Sequence, residues 1–338
     1  MIKALSKFEQ NHHDSPYKFG LADWWAVIKR TYISAQRDNV SVVAAGVAFF
    51  SLIAVFPLIS AAISIFGYFA NPQDADEATQ IISALMPGQA FDVIQNQIVT
   101  VVDAPNQAMG WGIAISLSVA IFSAGAGIRA MMRAMNIAYQ EIEKRNFFVF
   151  YAYAILMTLG SFLVIWLSLL LIVGIPAALI FINLESSAEF AARSLPWLLL
   201  FAVFAFATGV MYRFGPSRRP AKKRWLSPGI ILATTSWLLI SYGFSKFVSE
   251  FGNYNATYGS LSAVVILLVW LWLTATVIIF GAELNSELER QTIADTTRGP
   301  ARPLGRRGAS VADFKATETK LEEATAEILN PQEATEII

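Results

Sequence analysis

Few residues in this chain could do covalent chemistry. Its only histidines are the adjacent His12 and His13, in a polar N-terminal stretch, and it has no cysteine. A Ser–His or Cys–His nucleophile therefore has little to be built from, and neither a disulfide framework nor a Cys-type zinc site is available. No GxxxxGK[ST] phosphate loop occurs. The apolar part holds no carboxylate cluster suited to two Mg²⁺ ions. The inventory points to a protein that is not an enzyme and uses no cofactor and no metal. What survives is a set of polar side chains at the ends of long apolar runs. Arg129 and Arg133 are four apart, on one helical face, and Asn136 follows three later. Glu283 and Asn285 stand where the last apolar run stops. The expectation is a charge cluster in which Glu283 pairs with Arg129 or Arg133 and ties two helices together. It could serve as a gate or a proton-sensitive latch; the plainer alternative is a structural clasp.

The elements that must position these residues are legible from charge placement. Only 15% of the 338 residues are charged, against about 25% in soluble domains, and mean hydropathy is +0.51. Charge-free runs cover residues 39–73, 104–128, 146–184, 194–212, 225–245 and 251–282. Each is long enough for a helix to cross a hydrocarbon core, which takes about 20 residues. The expected fold is all-α: a polytopic bundle of six transmembrane helices. With alternate loops assigned to opposite sides, one side holds 23 of the 25 Lys and Arg, and the other only Arg193 and Lys246. By the positive-inside rule both termini are cytoplasmic. Residues 1–38 contain no apolar run, so no cleavable signal peptide is expected and the first span must direct insertion.

Three regions follow. Residues 1–38 are a cytoplasmic segment, loose to about residue 16. It then carries an amphipathic helix with Leu21, Trp24, Trp25, Ile28 and Tyr32 on one face, suited to the membrane interface or to packing under the bundle. Residues 39–290 form the membrane domain. Its first helix, about Val40 to Phe69, opens with the small-residue stretch Ala44-Ala45-Gly46, where backbones can approach closely. Pro57, a candidate hinge, should kink this helix. Ser123, Gly125 and Gly127 thin the inner half of the second span. An acidic outer loop, 71–108, reads as two amphipathic helices broken at Pro87-Gly88. The loop 213–225 is short and very basic and could bind anionic headgroups, with plain topology determination as the alternative. Residues 291–338 read as a flexible cytoplasmic tail, with a linker over 291–309 and a short helix starting at Ser310. Membrane lipids are the expected partners, and nucleic acid is not.

Several motifs carry a family resemblance over roughly residues 25–290. They are Ala44-Ala45-Gly46-Val47-Ala48-Phe49-Phe50 through Phe56-Pro57, Arg129 through Asn136-Ile137-Ala138-Tyr139, Tyr212-Arg213-Phe214, Pro228-Gly229 and Trp237. The most specific pair is Tyr258-Gly259-Ser260-Leu261 with Gly281-Ala282-Glu283-Leu284-Asn285. With these the chain resembles the YihY/BrkB family of bacterial inner-membrane proteins, once labelled ribonuclease BN. Gly215-Pro216 departs from the Pro-Asn turn usual in the family, and Ile230 from a small residue. The resemblance implies a six-helix inner-membrane protein of the cell envelope. Its ribonuclease label is regarded as a misassignment, in keeping with the residue inventory. The functional expectation is a passive or ion-coupled transporter of a lipid or envelope amphiphile, and the alternative is a non-catalytic scaffold of the envelope.

Overall fold

The computed structural model describes residues 13–69, 106–169, 171, 186–250 and 260–314. These are helical throughout apart from turns and one isolated antiparallel bridge, Ala221 to Thr297. The expected outer helices of 71–108 and the tail beyond 314 lie outside them. Helix α1 (Leu21–Arg37) is followed by α2 (Val40–Phe69), α3 (Asn106–Ala138), α4 (Phe147–Leu169), α5 (Ser186–Phe214), α6 (Lys223–Glu250) and α7 (Ser260–Arg290). A single turn, α8 (Ser310–Asp313), comes last.

Among the described residues, three helices are long and apolar enough to cross a membrane: Phe147–Val164, Lys223–Val248 and Val264–Arg290. A fourth span is formed if α1 and the first half of α2, bent by 61° where they join, are taken as one. The bend is local chemistry. The Asp38 N–H still closes on the Ser34 carbonyl, and Asn39 then takes a positive φ of 48°, a conformation that Asn tolerates better than most residues. Helix α2 continues through Pro57 without a break.

The exposed side chains suit lipid. Along α4, Phe148, Ile155, Leu156, Leu159 and Leu163 face outward, as apolar residues do where the solvent is hydrocarbon. Helix α2 packs on α3, α6 on α7, and α7 on α2. Small residues set the first of these contacts, since a Cβ on Gly127 would meet Ser51 Oγ at 2.8 Å. Of the small stretch that opens α2, Ala44 and Ala48 are buried while Gly46 faces open space.

Four contacts far apart in sequence gather the connecting segments at one end of the bundle. Thr292 donates to the His13 carbonyl at 2.8 Å. The Lys144 N–H donates to Ser217 Oγ at 3.0 Å. The Ser310 N–H donates to Glu141 at 2.6 Å. The bridge joins residue 221 to residue 297. The pairs α2/α3, α4/α5 and α6/α7 therefore each leave this end and return to it.

The described segments flanking the bundle, from His13 and through Ala312, are better held here than composition suggests. The Pro16–Lys18 turn docks on α6 through Tyr17, whose hydroxyl donates to Ser227 at 3.0 Å. His13 packs on Phe19, which packs on the buried Trp225. Residues 291–309, read from sequence as a flexible linker, are pinned instead. The Arg307 guanidinium, buried, donates to the carbonyls of Ile293, Ala294, Arg302 and Ala312. Asp295 accepts from Thr297 and from the Arg302 N–H. The order comes from charge-assisted bonds to backbone, which hydropathy does not register.

Candidate functional site

The last two turns of α7 are the polar centre of the molecule, and every residue from 281 to 292 is buried. The approach of α6 to α7 fixes their position. A Cβ on Gly229 would collide with the Gly281 carbonyl, and one on Gly281 with the Tyr212 hydroxyl. The two backbones therefore touch where Pro228-Gly229 crosses Gly281, a contact open only to glycine. Pro228 lies inside α6 and brings no N–H of its own. Side chains bridge the disturbed turn. Ser227 Oγ donates to the Arg224 carbonyl at 3.2 Å, the group that a residue-228 N–H would have served. Asn285 accepts from the Gly229 N–H at 2.8 Å and donates to the Leu226 carbonyl at 3.1 Å. Tyr212 closes the other side, donating to the Ile278 carbonyl at 2.7 Å.

Three buried glutamates follow on this clamp. Glu287 is satisfied by α1: it accepts from Arg30 Nε at 2.8 Å and from Ser34 at 3.0 Å. Glu289 accepts from Arg218 at 2.7 Å and from Thr296 at 2.6 Å. Glu283 differs in forming no ion pair among the described residues, whereas Glu287 and Glu289 each do. It is 1% exposed, lies within electrostatic reach of Asp38, Glu287 and Arg37, and its Oε1 has no hydrogen-bond partner among the described residues. Arg37, the nearby cation, is bonded to Asp38 at 3.0 Å. A buried carboxyl turned toward a second carboxyl, with its cation engaged elsewhere, can take up a proton or a cation.

The structure does not bring the expected cluster together. Arg129 lies 5.1 Å from the centres of both the Phe122 and Tyr151 rings, toward α4. Arg133 is exposed on α3. Among the described residues neither forms an ion pair with Glu283, which faces the α1–α2 joint instead. The spacing placed both arginines at the correct end of α3 but could not tell which neighbour their face meets. Asn136 works elsewhere, accepting from the Ser217 N–H at 2.7 Å and donating to Glu143 at 2.9 Å. Asn285 staples α6. Pro57 lies in α2 beyond the side chains the structure describes. Sequence reasoning missed Arg30, Ser34 and Asp38 as neighbours of the α7 acids. One signal was present: Glu283 and Glu287 are one turn apart on a helix whose other charges follow within a few residues.

Glu143 belongs to a second network, in the α3–α4 loop. Burial alone would raise its carboxyl, but hydrogen bonds from Arg145 and Asn136 and the Arg145 charge overcome this and hold it down at about 2. Arg145 also donates to the carbonyls of Phe214 and Gly215 at the end of α5, groups that a helix C-terminus leaves open.

The family model for virulence factor BrkB matches residues 31–304. The chain belongs to the BrkB family. The matched region includes the clamp, all three α7 glutamates and most of the pinned segment beyond them. The UPF0761 membrane protein VSAL_I2938 of Aliivibrio salmonicida is 25% identical over 280 residues, covering 81% of this chain and 87% of the relative. The ribonuclease-like protein YfkH of Bacillus subtilis is 26% identical over 258 residues, covering 73% and 89%. The UPF0761 membrane protein PSHAa0171 of Pseudoalteromonas translucida is 26% identical over 284 residues, covering 81% and 88%. No solved structure matches the chain. This BrkB-family chain is thus a helical membrane protein, and among its described residues no group of three or more His, Cys, Asp or Glu could hold a metal ion.

Proposed function

We propose that this BrkB-family protein moves a lipid or envelope amphiphile across the bacterial inner membrane, coupled to a proton or cation taken up at Glu283. The observation that carries the reading is the buried carboxyl of Glu283, with one oxygen unpartnered, at the end of a membrane helix. Ionisable groups inside a membrane bundle are expensive, and they mark ion pathways more often than they serve stability. Asp38 opposite it sits at the 61° joint between α1 and α2, so a change of charge at the carboxyl pair acts where two helices change direction. The reading includes six spans with both termini cytoplasmic. The three helix pairs that return to one end, and the 23 basic residues assigned to that side, support it.

The test is translocation of headgroup-labelled phospholipid in proteoliposomes, with an outer-leaflet quencher and an imposed pH or cation gradient. Wild-type protein should shorten the life of the protected signal relative to empty vesicles and respond to one of the gradients. Glu283→Gln should remove the gradient response while the protein stays folded. Wild-type rates equal to those of empty vesicles, for zwitterionic and anionic lipid alike, would overturn lipid movement. A gradient response that survives the substitution would overturn the role of Glu283.

A further inference from the structure

A second site lies where α5 ends and α6 begins. A cavity of about 570 Å³ opens there, lined by Arg213, Phe214, Ala221, Lys222, Lys223 and Arg298, within the size range of small-ligand sites. Four of these six side chains are cationic and none is acidic. The pinned C-terminal segment completes the wall. The Lys222 N–H donates to the Thr296 carbonyl and the Arg298 N–H to the Pro220 carbonyl, each at 2.9 Å. This pairing, around the Ala221–Thr297 bridge, sets Arg298 across from Lys222 and Lys223. Lys222 spends one donor on the Asp295 carbonyl. The Asp295 carboxylate is turned away, held by Thr297 and the Arg302 N–H. Arg213 stacks over Phe214 at 5.5 Å and keeps its guanidinium donors. Among the described residues Arg213, Lys223 and Arg298 form no ion pair. The α6 N-terminus, at Lys223, adds the positive end of a 28-residue helix.

We infer that this cavity binds a phosphate group, held by Arg213, Lys223 and Arg298 with the α6 N-terminus. The source favoured by position is the headgroup of an anionic phospholipid. The cavity lies where two apolar helices meet a basic connecting segment, and Phe214 on its rim is 40% exposed, where an acyl chain would begin. The site does not depend on lipid transport and is separate from Glu283.

Native mass spectrometry of the full chain in detergent tests it, titrating phosphatidylglycerol and phosphatidylcholine separately. Lys223 and Arg298 are exposed, so Lys223→Glu with Arg298→Glu should fold. Arg306→Glu is the control, exposed on the same segment but outside the cavity. Phosphatidylglycerol should bind in preference to phosphatidylcholine, and replacing two cations by two anions should weaken it by at least about thirtyfold, with Arg306→Glu near wild type. Glycerol 3-phosphate binding as tightly as phosphatidylglycerol, and lost in the double variant, would also support the phosphate site while assigning its source to a free phosphate ester. Equal binding of both lipids, or equal loss in the control and the double variant, would overturn the inference.

Discussion

Gly229 and Gly46 show how little a residue type says without its neighbours. Both are glycines in apolar helices. A Cβ at Gly229 would run into the Gly281 carbonyl and the Asn285 amide, whereas one at Gly46 meets nothing within 4 Å. Gly229→Ala must push α6 off α7 or distort the Asn285 staple, and overpacking of this kind costs about 1–3 kcal/mol. Gly46→Ala should stabilise instead, by about 0.5–1 kcal/mol, through helix propensity. Thermal unfolding in one detergent should move the two melting temperatures in opposite directions, and movement in the same direction would contradict the close crossing. The sequence exposed this crossing well. Pro228-Gly229, Tyr212 and Gly281 through Asn285 all stood out as motifs, and all belong to one clamp. It did not reveal the neighbours of Glu283, because the rotation of one helix about its axis relative to another leaves no trace in the spacing of either.

At the scale of elements, the α3–α4 loop is held to the end of α5 by Asn136, Glu143, Arg145 and Ser217. The Glu143 carboxyl falls from 4.5 to about 2 in the folded chain, as its bonds to Arg145 and Asn136 outweigh burial. The folded state thus binds that proton less readily than the unfolded state. The stabilisation is complete above the ordinary carboxylate range and is lost as pH falls from about 4.5 toward about 2. Glu143→Gln should therefore melt below wild type at pH 7, and the difference should shrink steadily on acidification through this window. Other carboxylates titrate in both proteins and cancel in the comparison. A difference independent of pH would show that the loop is held by shape alone. This network was half legible: Arg133 and Asn136 were chosen as one cluster, yet Arg133 faces outward while Asn136 reaches the α5–α6 loop. The contacts within the segment 291–309 were hidden for a related reason. Its Gly, Pro and Arg content looks loose until Arg307 finds four backbone carbonyls, and those acceptors are brought together only by the turn itself.

For the whole molecule, the deciding property is which segments share a side. The structure brings residue 13 to residue 292, residue 141 to residue 310, and residue 221 to residue 297. Under the proposed topology, these contacts put the segment around residue 13, both basic loops and residues 291–310 on one face of the membrane, and this support is independent of the charge count. The natural chain lacks cysteine, so single cysteines report without background. Lys29→Cys, Ile142→Cys and Arg306→Cys replace exposed residues in three of the gathered segments, and Lys246→Cys replaces one near the far end of α6. In intact cells an impermeant maleimide should label Lys246→Cys and spare the other three; in inverted vesicles the pattern should reverse. Labelling of Ile142→Cys together with Lys246→Cys would mean that α3 ends on the outer side. An odd number of crossings would then separate that loop from the C-terminal segment, and the hydrogen bond between Ser310 and Glu141 could not form in the membrane-inserted protein. Agreement of all four positions would let the basic cavity and the buried Glu283 be studied as features of one cytoplasmic face.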